Sequence, residues 1–318
     1  MDAIAAPRGR SQCRRPKGGH GQRLDRGDRD VETPTGAVVQ PTLAIVGAGR
    51  AGAALALAAR DAGYRIAAVA SRRRRSAATL AIETGAELAP TPLAAVRTAD
   101  ITLLTVPDGA LAPVAATIAA SGVALRGRGV VHTAARLGPG VLAALRVTAA
   151  SVGVLHPLQA LTGRESAPLL HGAYFRIEAD PVLQPRLLAM VAAMGGREIS
   201  VDAAHRDLYH AAAVLAGNAP LALLARATEL LVAAGAEAGV AHAALAALLE
   251  GAARNARLAG PAQALTGPVV RGDDAAVRAH LEALRPYADA RALYAALVVE
   301  MASLRDAAEP VAAIAEVA

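Results

Sequence analysis

Leu43-Ala44-Ile45-Val46-Gly47-Ala48-Gly49-Arg50-Ala51-Gly52 opens with four apolar residues and closes on a G-x-G-x-x-G loop. A short apolar run stopped by glycines reads as a buried strand. From Ala51 to Ala62 the pattern is helical, and Gly63 ends it. Strand, glycine turn and helix in that order are the context a dinucleotide-binding loop needs. Gly47 permits the tight turn, Gly49 lets the backbone approach a pyrophosphate, and Gly52 lets the helix pack closely on the strand. Ala48, Arg50 and Ala51 fill the loop, whose free amides at the helix start suit a phosphate.

The same alternation continues downstream. Arg65–Ala70, Asp100–Val106, Gly129–Thr133 and Ser151–His156 read as strands separated by helices, with further strands at Ala173–Glu178 and Arg197–Val201. Alternation at this spacing predicts a parallel sheet covered on both faces. Beyond Val201 the strand signal stops and Ala/Leu-rich helices follow, broken near Gly235, Gly260, Gly267, Gly272 and Pro286. The expected fold class is therefore α/β, an N-terminal Rossmann-like parallel sheet followed by an all-α C-terminal domain. Residues 1–40 read as a disordered basic tail, 41–201 as the dinucleotide-binding domain, and 202–318 as a helical substrate and dimerisation domain.

Composition narrows the function. The chain has 318 residues, 54% of them hydrophobic, so it builds real cores. Six aromatic residues leave no stacking platform for single-stranded nucleic acid, and no nucleic-acid partner is expected. The uncharged run Gly109–Leu125 contains Pro113 and Gly122 and falls short of a transmembrane helix, so no membrane is expected either. Cys13 is the only cysteine, which excludes an intramolecular disulfide and a cysteine-based metal site and suits a cytoplasmic protein. No metal is expected. Lys17 is the only lysine among 33 basic residues and lies in the tail, so the body has no lysine for acid–base or Schiff-base chemistry.

The second strand ends at Ser71, followed by Arg72, Arg73, Arg74 and Arg75. An NAD site would place a carboxylate there for the ribose hydroxyl. Ser71, Arg72 and Arg73 instead suit a 2′-phosphate, which arginine grips as a rigid fork. NADP(H) is the expected cofactor. Ligands in such sheets sit beyond the carboxyl ends of the strands. That places Val106-Pro107-Asp108, His132-Thr133 and His156-Pro157-Leu158-Gln159 around the nicotinamide end. His156 is a candidate acid–base group. The first long helix of the second domain offers Tyr209, His210 and Asn218, polar groups in an otherwise apolar helix that face either the cleft or a neighbouring helix. The loop Leu265–Asp273 offers Thr266, Gly267, Pro268 and Arg271, the last a candidate clamp for a substrate carboxylate.

Taken together, G-A-G-R-A-G, V-P-D, V-V-H-T, H-P-L-Q, Y-H-A-A-A with Asn218, and L-T-G-P-V-V-R-G-D occur in that order over roughly residues 41–310. In this the chain resembles a family of Rossmann-like oxidoreductases with a helical C-terminal domain of unknown function. That family is similar in build to ketopantoate reductase, pyrroline-5-carboxylate reductase and 6-phosphogluconate dehydrogenase. The resemblance implies an interdomain cleft, a homodimer made through the helices and a keto- or imino-acid substrate. Ketopantoate reductases and the 6-phosphogluconate and hydroxyisobutyrate dehydrogenases place a lysine beside the substrate carbonyl. Here the corresponding helix offers His205, Arg206, Tyr209 and His210 instead.

The reading is an NADP(H)-dependent oxidoreductase that reduces a small C=O or C=N substrate. His156 or His210 would give the proton, and Gln159, Tyr209 and Asn218 would orient the substrate. The alternative is a non-catalytic NADP(H)-binding regulatory or scaffold protein. Reduction of NADP by a deazaflavin is a third reading, and it would need a second ring-sized pocket.

Overall fold

The computed structural model describes residues 40–304. The charged segment 1–40, with Cys13 and Lys17, lies outside them apart from Gln40.

Strand β1 (Leu43–Val46) is fully buried, and α1 (Arg50–Asp61) follows the glycine loop. Next come β2 (Ile66–Ala70), α2 (Arg74–Thr84), the two-residue β3 (Glu87–Leu88) and the short α3 (Pro92–Val96). Thr91 caps α3 by accepting a hydrogen bond from the Ala94 amide at 3.1 Å. β4 (Ile101–Leu104), α4 (Asp108–Ala120) and β5 (Gly129–His132) continue the alternation. A 3₁₀ segment (Pro139–Thr148) then leads into β6 (Ser151–Pro157). After a second 3₁₀ segment (Arg164–Leu170) come β7 (Tyr174–Ala179), α5 (Gln184–Ala193) and β8 (Arg197–Glu198).

The eight strands form one sheet in the order β3-β2-β1-β4-β5-β6-β7-β8. The β1/β4 break in sequence order is the switch point at which such sheets bind ligands. Leu43 and Ile45 face one apolar layer with Leu55, Leu80 and Met190, while Ala44 and Val46 face the other with Leu111, Ile118 and Leu142. Burial on both faces explains why the central strands read as unbroken apolar runs. The sheet is parallel from β3 through β6, as expected, with one antiparallel addition. β7 runs antiparallel to β6, with His156 opposite Arg176 and Leu155 opposite Ile177. The other strand pairs are parallel.

Helices then take over: α6 (Arg206–Gly217), α7 (Ala219–Ala233), α8 (Ala238–Ala259), the short α9 (Pro261–Ala264) and α10 (Pro268–Arg271), α11 (Asp274–Ala283) and α12 (Ala288–Ser303). Tyr209 is the only buried residue of α6, α7 has none, and α8 has Ala241. Val269, Val277, Leu281 and Val298 form a small core of their own. The helical stretch Ala203–Ala233 is long and apolar enough to cross a membrane by length and composition alone.

Candidate active site

Above the carboxyl ends of β1, β2 and β4 lies a cavity of about 800 Å³, lined by Gly47, Ala48, Gly49, Arg50, Ala51, Ser71, Arg72, Arg73, Val106, Pro107 and Thr133. Gly47 has φ +112°, and a Cβ there would sit 2.6 Å from the Thr105 carbonyl oxygen. Only glycine fits such a position. A Cβ on Gly52 would overlap the Gly47 carbonyl oxygen, whereas Gly49 opens onto free space. The loop is held from behind by Thr105, whose hydroxyl donates to the Gly47 carbonyl at 2.5 Å. Arg72 and Arg73 are exposed and uncommitted to any acidic partner among the described residues, and no acidic side chain lines the cavity. The open approach at Gly49 and the serine–arginine rim fit a phosphorylated dinucleotide. Arg75 turns instead into an adjoining hollow with Arg50 and Arg164.

Two expected lining residues stand elsewhere. His132 is fully buried, and both of its ring nitrogens are committed. Nε2 lies 3.1 Å from the Gly138 carbonyl, and Nδ1 accepts from the Ala134 amide at 3.2 Å. Burial holds its pKa below the ordinary histidine value. It shapes the loop after β5 and does not line the cavity. Asp108 is exposed in the first turn of α4, where a negative charge suits the helix dipole. Leu161, Pro90, Pro92, Ala110 and Val114 also line the cavity, and as apolar residues they carry no distinguishing signal in sequence.

His156 ends β6 one strand beyond Thr133, and Tyr209 of α6 reaches it: Nδ1 and the phenol oxygen are 2.8 Å apart, with the rings edge to face. Burial, then the positive Arg176 and then His210 and His132, push the His156 pKa down to about 4. Burial raises the Tyr209 phenol, and Arg176 pulls it the other way. At neutral pH the pair is therefore uncharged. Gln159 is half-buried in the bend after β6, and His210 is half-buried beside Tyr209. Asn218 is exposed at the α6/α7 junction, nine residues from Tyr209 and so about 13 Å along the helix. Thr266 and Arg271 are exposed, and α9–α12 pack chiefly on α8 and on one another. The chain thus gathers His156, Tyr209 and His210 but leaves Asn218, Thr266, Gly267, Pro268 and Arg271 apart from them.

Sequence reasoning missed Arg176, 2% exposed on β7. Its Nη1 donates to Glu178 at 2.9 Å, and Nη2 donates to the carbonyls of Ala134, Ala135 and Leu137 at 3.3, 3.1 and 3.0 Å. Glu178 also accepts from Arg206 Nε at 3.0 Å and Nη2 at 2.5 Å. A lone arginine in a strand reads as solvent-facing, and only the pairing of β7 with β6 turns it inward.

Two family models match the chain: "NADP oxidoreductase coenzyme F420-dependent" over residues 42–136 and "domain of unknown function (DUF2520)" over residues 173–301. The chain is thus similar to the NADP oxidoreductase model from β1 to the loop after β5 and to the DUF2520 model from β7 to α12. The first match stops at Arg136, before β6. Among solved structures, a Bacteroides fragilis protein provisionally named an NADP oxidoreductase is 26% identical, with a TM-score of 0.65, over 83% of this chain and 98% of that one. A Thermotoga maritima protein is 21% identical, with a TM-score of 0.64 and the same coverage of both chains. A pyrroline-5-carboxylate reductase from Streptococcus pyogenes is 13% identical, with a TM-score of 0.59 and again 83% and 98% coverage, which is a likeness of fold. No curated protein matches the chain. The expected cofactor, NADP(H), agrees with the family match.

Proposed function

We propose that this NADP oxidoreductase is a reductase of a small C=N or C=O substrate bearing a carboxylate, acting where His156 meets Tyr209. The observation that carries the reading is their 2.8 Å hydrogen bond, made between sheet and helix one strand beyond Thr133, which lines the cavity of the glycine loop. Bound NADPH supplies the hydride. The chain's own residues supply the proton. When Tyr209 donates to His156 Nδ1, the free hydrogen is on His156 Nε2; when Nδ1–H donates to Tyr209, it is on the phenol. Either tautomer leaves one outward hydrogen for a developing alkoxide or amine. His156, with its pKa near 4, acts as a neutral imidazole. His210 supports the pair from the next position of α6, and Gln159 orients the substrate from the bend after β6.

Asn218 stands about 13 Å along the helix from Tyr209, and the elements that carry Thr266, Gly267, Pro268 and Arg271 pack chiefly on α8 and on one another, so these residues serve as substrate contacts when a second copy brings them. A homodimer through α6–α8 supplies that copy. Leu208, Leu215, Leu221, Leu248 and Leu258 are 58–72% exposed there, and exposed apolar side chains in number favour a partner surface that covers them. Structures of similar fold include an imine reductase from a Pseudomonas species and a reductive aminase from Aspergillus terreus, which favours C=N substrates in the panel to be tried. The test is NADPH oxidation by purified protein with pyrroline-5-carboxylate, other cyclic imines, ketopantoate and 2-keto acids with and without amines. Faster oxidation with one class supports the reading. NADPH binding with no acceleration by any of them returns the chain to a cofactor-binding regulator.

A further inference from the structure

We infer that Arg176 is a positioning residue, the hub that locks the His156–Tyr209 pair, the loop 134–138 and the start of α6 into one unit. The inference rests on the reductase reading of that pair. Arg176 sits directly opposite His156 in the β6/β7 ladder, and its guanidinium carbon lies 5.9 Å from the centre of the Tyr209 ring. Burying a guanidinium is costly unless its geometry is put to use, and a well-packed apolar side chain of similar volume often does as well or better. Here each end of the fork is used. One nitrogen gathers three carbonyls of the loop running from Thr133, on the cavity wall, to Gly138. The other meets Glu178, which also holds Arg206, the first residue of α6. Three residues later α6 presents Tyr209, which returns to His156.

The connections therefore close a ring through Arg176, Glu178, Arg206, Tyr209 and His156, with the loop held to it at Arg176. Gly138 is part of the fit, since a Cβ there would press on the Arg206 guanidinium at 2.8 Å. Arg176 Nε is buried with no hydrogen-bond partner among the described residues, a cost that a purely structural arginine would have been free to avoid. The groups facing His156 are Tyr209, Arg176, His210 and His132. Arg176 is the permanent charge among them, and it adds to burial in keeping the imidazole neutral and able to exchange hydrogen bonds with the phenol.

The experiment uses the full chain as wild type, Arg176→Lys and Arg176→Met. It reads three quantities: the His156 midpoint by NMR of labelled histidine, assigned with His156→Gln; hydrogen exchange of the 134–138 amides; and kcat and KM. Arg176→Met should raise the His156 midpoint by about 1 unit, speed exchange at 134–138, and lower kcat by about tenfold or more while KM for NADPH stays within about threefold. Arg176→Lys keeps the charge but loses the fork. It should leave the midpoint near the wild-type value while still loosening the loop, and it decides the matter if the methionine variant does not fold. An unchanged midpoint and unchanged exchange in Arg176→Met, or an unchanged loop in Arg176→Lys, overturns the inference. Absence of turnover in the wild type strikes the reductase reading alone, because the midpoint and the exchange are read without substrate.

Discussion

Tyr209 and His156 share one hydrogen bond between two elements far apart in sequence, and each is uncharged at neutral pH. Replacing Tyr209 by Phe keeps the ring and removes the hydroxyl. On the reductase reading, kcat should fall by roughly 10²-fold or more, the range of a lost proton-transfer group, with NADPH affinity little changed. Titration calorimetry beside turnover checks this, and an unaltered kcat would remove the pair from the chemistry. His156 also links stability to pH. Its folded midpoint of about 4 lies below the ordinary 6.5, so between those values the unfolded chain binds the proton and the folded chain does not. Stability is therefore full above about pH 6.5 and drains away as pH falls towards 4, by roughly 3 kcal/mol from this group. Thermal melts at pH 7 and pH 5 should differ less in His156→Gln than in wild type. At this scale the sequence was half legible. Histidines and tyrosine at strand and helix ends advertise chemistry, but the inward turn of His132 depends on Gly138 and Ala134, and that of Arg176 on a strand neighbour twenty residues earlier.

At the scale of elements, the nucleotide-binding half was readable because each buried strand is a short apolar run stopped by glycine, proline or charge. The loop between β1 and α1 carries the most constrained positions. Gly52→Ala should cost NADPH binding by far more than one methyl's volume, since its Cβ would collide with backbone in a closely packed turn. A dissociation constant for NADPH within about threefold of wild type would show that the loop can yield. Arg72→Glu with Arg73→Glu should weaken NADPH far more than NADH, because only the former carries the phosphate these side chains face; equal losses would mean the block reads no phosphate. The direction of β7 was not legible. Tyr-Phe-Arg-Ile-Glu-Ala alternates as any half-covered strand does, and alternation is the same read either way. The two-residue strand β3 is too short to register as a pattern at all, whereas β8 is the opening of the strand expected at Arg197–Val201.

Across the whole molecule, the helical half is read in sequence as ordinary Ala/Leu helices, yet in the fold it buries almost nothing between Arg206 and Ala259. Propensity reports which residues make helices and says little about what will cover them. If a second copy covers this surface, light scattering should give twice the 32.0 kDa of the chain. Leu208→Gln, Leu215→Gln and Leu221→Gln together should then shift it to one chain mass and abolish turnover while NADPH still binds. A monomeric wild type at micromolar concentration would end that reading. The antiparallel run of β7 carries a further consequence, for tolerance to change in chain length. Arg176 meets His156 only at one setting of the ladder, and a one-residue slip sends its side chain through to the opposite face and brings Phe175 or Ile177 in its place. A scan of single-residue insertions should therefore show a trough across Tyr174–Ala179, flanked by permissive connections on either side: six consecutive positions where the chain keeps count.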